Sequence, residues 1–220
     1  MIIYHGSDKK IDKPVMGAGK KYNDYGYGFY CTEHYELAAE WAVDEDRNNK
    51  YEIALGDMKV LNLNTPEYSI LNWITILLEN RLFEIQSSVA RAGKKFLKDN
   101  YNVDYKAYDI IIGYRADDSY FSYAQDFLDN SISVQQLEAA MKLGNLGEQI
   151  VIKSKSAFDR IKFVSAEEVY KKDWFNNKKE RDNRARKKYF DMRNEEYRPG
   201  ELYITGLMDR NIGGADVRIQ

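Results

Sequence analysis

Seven residues in the middle of the chain, Tyr108-Asp109-Ile110-Ile111-Ile112-Gly113-Tyr114, constrain the fold more than any other stretch. Neighbouring side chains on a strand point to opposite faces, so consecutive isoleucines are stable only where both faces of the sheet are covered. The segment reads as a buried central strand. Other β-prone runs are short: Ile2-Ile3-Tyr4, then Phe29-Tyr30-Cys31-Thr32 after a polar, glycine-rich loop, then Gln149 to Lys153 and Ile161 to Val164. Tyr51 to Leu55 and Lys59 to Leu63 alternate on either side of Gly56-Asp57, which suggests a hairpin.

Helical spacing appears between these runs. Leu37, Ala38, Trp41 and Ala42 share one face within Glu33 to Asp44. Ile70, Trp73, Ile74, Leu77, Leu78, Leu82 and Phe83 form a stripe behind Thr65-Pro66, a proline placed for a helix start. Further helices are expected over Ile85 to Lys98, from the Asp117-Asp118-Ser119 cap to Leu128, and from Ser133 through Met141, with a single turn at Ser156 to Arg160. Short strands mixed with helices favour α+β over a doubly wound parallel sheet. Beyond Ala166 the composition turns basic, with nine Lys or Arg against three acids between Lys171 and Lys188, as in a solvated helical tail. The expected organisation is one domain over residues 1–166 and a basic, helical extension over 167–220. Within that extension, Leu202 to Ile204 is a possible strand.

Composition narrows the function. At 220 residues and 44% hydrophobic, the chain supports one good core. No apolar run approaches the roughly 18–20 residues of a membrane span, and Met1 to Tyr4 lead straight into patterned sequence, unlike a secretory signal. A cytoplasmic location and no membrane partner are expected. One cysteine and two histidines exclude a disulfide framework and the usual zinc cluster, so no metal site is expected.

Chemistry has few places to reside. His5 stands at the end of the first β run, followed by Gly6 and Ser7, and a histidine there is as often a satisfied structural residue as a functional one. Gly26 and Gly28 open an aromatic run, where missing side chains let a flat ligand approach the backbone. Cys31 reads as a small buried residue, His34 as a helix-start residue and Arg115 as a surface ion-pair residue within reach of a phosphate.

These pieces occur in a meaningful order. Tyr4-His5-Gly6-Ser7, then Gly26-x-Gly28-Phe29-Tyr30-x-Thr32 with Ala38-Ala39-x-Trp41, then Gly147-Glu148-Gln149-Ile150-Val151-Ile152, resemble the three motifs of the ADP-ribosyltransferase superfamily. The likeness is to its His-Tyr-Glu branch, which includes diphtheria toxin and the poly(ADP-ribose) polymerases. Trp41 follows Tyr30 by eleven residues, the spacing of the polymerases' second ring. The stretch to about Ala166, including Asp109 to Gly113 and Ala116-Asp117-Asp118, also resembles a bacterial family of unknown function placed in that superfamily and linked to toxin–antitoxin pairs.

The resemblance implies a split, mainly antiparallel mixed sheet flanked by helices, with NAD as co-substrate. His5 would bond the nicotinamide-side ribose, Gly6 would offer its backbone to the carboxamide, and Tyr30 and Trp41 would stack on the nicotinamide. Ser7, Gly28 and Thr32 would complete the cofactor site. The third-motif residue would stabilise positive charge on the ribose as nicotinamide leaves. Glu148 holds the acidic position and is favoured, with Gln149 the alternative, because neighbouring strand residues cannot both face one pocket. The implied activity is mono-ADP-ribosyl transfer to a protein or nucleic acid by the toxin of a toxin–antitoxin or defence system, with an antitoxin as partner. A catalytically inactive protein- or RNA-binding module is the alternative. An RNA 2′-phosphotransferase would use the same cofactor, but its arginine-based motifs are not evident.

Overall fold

The computed structural model describes residues 1–44, 47–116, 118–143, 148–195 and 199–214. Asp117 and Gly147, both used in the sequence reading, lie outside the described residues. In chain order the elements are β1 (Ile2–Ser7), β2 (Phe29–Cys31), α1 (Tyr35–Trp41), β3 (Arg47–Ile53), β4 (Val60–Asn62), α2 (Ile70–Asn80), α3 (Ser88–Asn100) and β5 (Ile110–Tyr114). They continue with α4 (Asp118–Leu128), α5 (Val134–Lys142), β6 (Glu148–Ile152), α6 (Lys155–Asp159), β7 (Ile161–Glu168), α7 (Lys171–Arg193) and α8 (Ile204–Asp209). The class is α+β, with two mostly antiparallel sheets and, among the described residues, eight α-helices.

One sheet runs β1-β3-β7 and the other β2-β6-β5-β4, with only β4 and β5 parallel. The isoleucine run explains how the second sheet is packed. Ile111 belongs to the large core under α2, α4 and α5 with Trp73 and Phe127, whereas Ile110 faces the smaller core with Ile3, Phe29 and Tyr51. Both faces of β5 are therefore covered, as its composition requires.

The two sheets meet where β1 passes β2. Tyr4 N donates to Thr32 O at 2.8 Å and Thr32 N to Tyr4 O at 3.0 Å, so two runs far apart in sequence become neighbours. α1 lies on β1 at very close range: a Cβ on Gly6 would stand 2.7 Å from both Ala38 O and Ala42 N. Only glycine permits that approach.

Several expectations are corrected. The hairpin is absent: β3 joins the first sheet and β4 pairs in parallel with β5 in the second, because the turn at Gly56 (φ 51°) carries the chain from one sheet to the other. Arg160 holds this crossing through Leu55 O at 3.2 Å and Asp57 at 2.7 Å. Helix α2 begins after Ser69, whose N–H is taken by Asn72 Oδ1 at 2.8 Å, rather than at Pro66, and it stops before Leu82, which is 73% exposed. Leu202 to Ile204 forms no strand; Ile204 opens α8 and is buried against Gly93 of α3. Strand β7 extends to Glu168, past the expected 1–166 boundary.

The segment after β7 shares the large core rather than trailing from it. Tyr189, Leu202, Ile204, Leu207 and Ile212 are all buried there, and Tyr101 donates its hydroxyl to Ile212 O at 2.6 Å. Helix α7 lies against the domain along a stripe of Trp174, Arg181, Ala185, Tyr189 and Met192, leaving most of its basic residues exposed. No helix among the described residues is long and apolar enough to cross a membrane.

Candidate functional site

A cleft of about 930 Å³ opens where β1, β2 and β6 end against the loop of residues 8–28, the C-terminal end of α1 and one face of α7. Its size lies within the roughly 300–1,000 Å³ of small-molecule sites. His5, Gly6, Gly28, Tyr30, Trp41 and Gln149 all line it. Six sequence-chosen residues from four separated segments thus share one cavity.

Each of the central three side chains is held by a specific partner. His5 Nδ1 lies 2.7 Å from the carbonyl of Tyr30. A carbonyl only accepts, so Nδ1 carries the proton. Burial holds the His5 pKa below its ordinary value, against the opposing effect of that hydrogen bond. The neutral ring therefore keeps Nε2 as an acceptor, suited to a ligand hydroxyl. Tyr30 donates its hydroxyl to Gly26 O at 2.6 Å and accepts from Tyr25 N at 3.1 Å. Burial raises its pKa well above the usual phenol range, so Tyr30 contributes a ring face and a loop anchor and not a base. The left-handed Gly26 (φ 74°) makes this closed turn possible. Lys153 clamps the same loop by donating to the carbonyls of Tyr25 and Tyr27, and its burial lowers its pKa to about 8.

The third motif resolves by strand alternation. Gln149 is buried in the cleft wall, whereas Glu148 is exposed, outside the cleft, and accepts from Asn64 Nδ2 at 2.7 Å. The favoured carboxylate thus points away, because β6 already starts at Glu148 and consecutive side chains must diverge. Gln149 Nε2 donates to Asp24 Oδ2 at 3.1 Å, while Gln149 Oε1 is buried without a hydrogen-bond partner among the described residues.

Two other chosen residues also stand outside the cleft. Ser7 is buried and its hydroxyl turns the chain, donating to Asp8 at 3.2 Å and accepting from Lys9 N at 3.4 Å. Thr32 is fully buried, with Oγ1 taking the N–H of His34 ahead of α1. Both hydroxyls are engaged by neighbouring residues of the chain, outside the cleft. Cys31 is buried, which pushes its thiol pKa far up.

Sequence reasoning missed most of the residues that line the cleft. Asp24 is 4% exposed, accepts Ala116 N at 2.8 Å and faces Arg81 Nε at 3.7 Å. Burial raises its pKa, and Ala116 N, Arg81, Gln149 and Arg115 pull it down. Arg115, which the sequence reading placed within reach of a phosphate but favoured as a surface ion-pair residue, lies over the Trp41 ring at 4.5 Å and lines the cleft. Lys178, Asp182 and Arg186 of α7 form the opposite wall. Their four-residue spacing puts them on one helical face, a signal readable in the sequence. Asp24, one of three aspartates in a polar loop, offered none. With Lys9, Lys20 and Arg81 also in the lining, cations outnumber acids and the cleft suits an anionic ligand.

Residues 1–163 match the model of a family described as Protein of unknown function (DUF3990), and the chain belongs to that family. No curated protein and no solved structure matches the chain. The matched span contains the sheet-built wall of the cleft and ends before α7.

Proposed function

We propose that this DUF3990 protein is an NAD-consuming mono-ADP-ribosyltransferase with an ADP-ribosyltransferase-like fold. One observation carries the reading: His5, Tyr30 and Gln149, chosen from three separate motifs, line a single basic cleft. Two unpartnered polar atoms, Gln149 Oε1 and Trp41 Nε1, also belong to residues of that lining. Leaving such atoms unpaired costs roughly 1–3 kcal/mol each, a cost that a polar ligand removes.

The roles follow from what each group offers. His5 Nε2 accepts a ribose hydroxyl. Tyr30 and Trp41 present ring faces to the nicotinamide, and Gly28 lets the start of β2 approach Val151 of β6 closely. Arg115, Lys178 and Arg186 suit the diphosphate. Nicotinamide leaves by breaking its bond to the ribose C1′, taking the electron pair and becoming neutral, while the acceptor oxygen or nitrogen bonds to C1′ and gives up its proton. Gln149 Oε1 faces the positive charge that the ribose then carries. The acceptor is a macromolecule, protein or nucleic acid, and an antitoxin partner and a cytoplasmic setting accompany this proposal.

One observation favours a second reading, a silent fold that binds protein or RNA through α7: the third-motif carboxylate of Glu148 faces away from the cleft. Nicotinamide release from labelled NAD separates the two. Under the first reading the purified protein releases nicotinamide and Gln149→Ala or His5→Ala lowers the rate at least 10-fold, while Glu148→Gln changes it less than 2-fold. An inert wild-type protein sinks the first reading.

A further inference from the structure

The cleft holds a buried carboxylate that no motif supplied. Asp24 comes from the loop before β2, and its Oδ2 accepts both Ala116 N at 2.8 Å and Gln149 Nε2 at 3.1 Å. A carboxylate only accepts, so the Gln149 amide must turn Nε2 toward Asp24 and carry Oε1 on its other side. That oxygen is the one left buried without a partner. Asp24 therefore decides which atom of Gln149 remains available. It also lends that atom charge, since an amide whose N–H groups bond an anion is polarised toward its oxygen.

Resting on the NAD reading, we propose that Asp24 is the positioning residue that supplies, through the Gln149 amide, the negative charge expected of a third-motif carboxylate. Charge from 24 and amide from 149 act as one unit on the ribose as its bond to nicotinamide breaks. Arg81 Nε, at 3.7 Å from Oδ1, and Arg115 oppose the rise in pKa that burial imposes on Asp24. Tyr25 and Tyr30, the other titratable neighbours, have raised pKa values and remain neutral.

A charge swap tests this. Asp24→Asn keeps an oxygen able to accept both N–H groups and removes only the charge. Its kcat for nicotinamide release is expected to fall about 10- to 100-fold, with the Kd for NAD by calorimetry within about 3-fold of wild type. Gln149→Glu restores a carboxylate beside position 24, so the double variant D24N/Q149E is expected to recover most of the lost kcat. A purely structural Asp24 predicts no such rescue. Wild-type kcat in D24N, or a double variant as slow as the single, overturns the proposal while leaving the NAD reading intact; an inert wild type removes the reading itself. If D24N fails to fold, Q149E alone decides. Two adjacent carboxylates must share a proton, so its kcat–pH profile should shift from that of wild type, and an unshifted profile overturns the proposal.

Discussion

The two walls of the cleft are built by opposite means. The sheet wall carries His5, Tyr30 and Gln149, each fixed by a buried partner: a carbonyl for His5, a loop carbonyl for Tyr30 and a carboxylate for Gln149. The α7 wall carries Lys178, Asp182 and Arg186 on a helix that faces solvent on most of its circumference. Its attachment near the cleft is the Arg181–Glu40 ion pair, flanked by an edge-on Trp174–Tyr35 contact at 6.1 Å. Farther along, Tyr189 stacks on Tyr123 at 3.6 Å and donates to Asp126. Rigid backbone elements set geometry, and a docked helix adds charge. The family match includes the first wall and ends before the second.

The largest effect should come from undocking the second wall. The Arg181 and Glu40 side chains are only 13% and 10% exposed, so Arg181→Ala leaves a carboxylate buried without its partner. A loss of about 3 kcal/mol in urea unfolding is expected, shrinking when Glu40→Gln is added. A loss below about 1 kcal/mol would mean that the other contacts of α7, among them the Tyr189–Asp126 hydrogen bond and the Tyr189–Tyr123 stack, hold the helix without this ion pair.

A smaller effect should separate charge from chemistry. Under the proposed NAD-consuming activity, replacing Lys178 and Arg186 together by alanine is expected to raise the KM for NAD about 10-fold with kcat within about 2-fold of wild type. The difference should narrow as salt is added, because these groups border solvent. A fall in kcat instead would show that α7 positions the reacting atoms, and the contrast between the walls would fail.

The smallest effect concerns titration of the first wall. Burial lowers the His5 pKa below 6.5, so in mildly acidic solution the unfolded chain binds a proton that the native state refuses. The stability this group provides is complete above pH 6.5 and is lost as pH falls through the window from 6.5 down to the lowered native value. Asp24 acts in the opposite sense, since its pKa is raised by burial and stability falls as pH rises from 3.8 through its native value. The difference between wild type and His5→Asn isolates the histidine. Stability against acid should be less steep in the variant, and parallel curves would place His5 in a solvated site.

Much of the fold was legible from local pattern. The isoleucine run demanded a two-faced strand, and β5 lies between β4 and β6 with a core on each side. Where two signals were close in sequence, proximity misled: Tyr51 to Leu55 and Lys59 to Leu63 look like a hairpin, yet they enter different sheets. Alternation within either run is satisfied by any partner, so local pattern cannot select one. The same ambiguity governed the third motif. Glu148 and Gln149 are adjacent, and the facing of β6 decides which one enters the cleft.

What the sequence determined by itself is the short-range geometry around its motif residues. Gly6 next to His5, Gly28 before Tyr30 and the four-residue spacing of Lys178, Asp182 and Arg186 are all local facts. Only the tertiary structure decided that Asp24 bonds Gln149 across 125 positions of chain and that α7 closes the cleft. Hydrogen bonds and Coulomb forces act over a few ångströms and are indifferent to separation along the chain, so no spacing rule announces such partners until the sheets have brought them together.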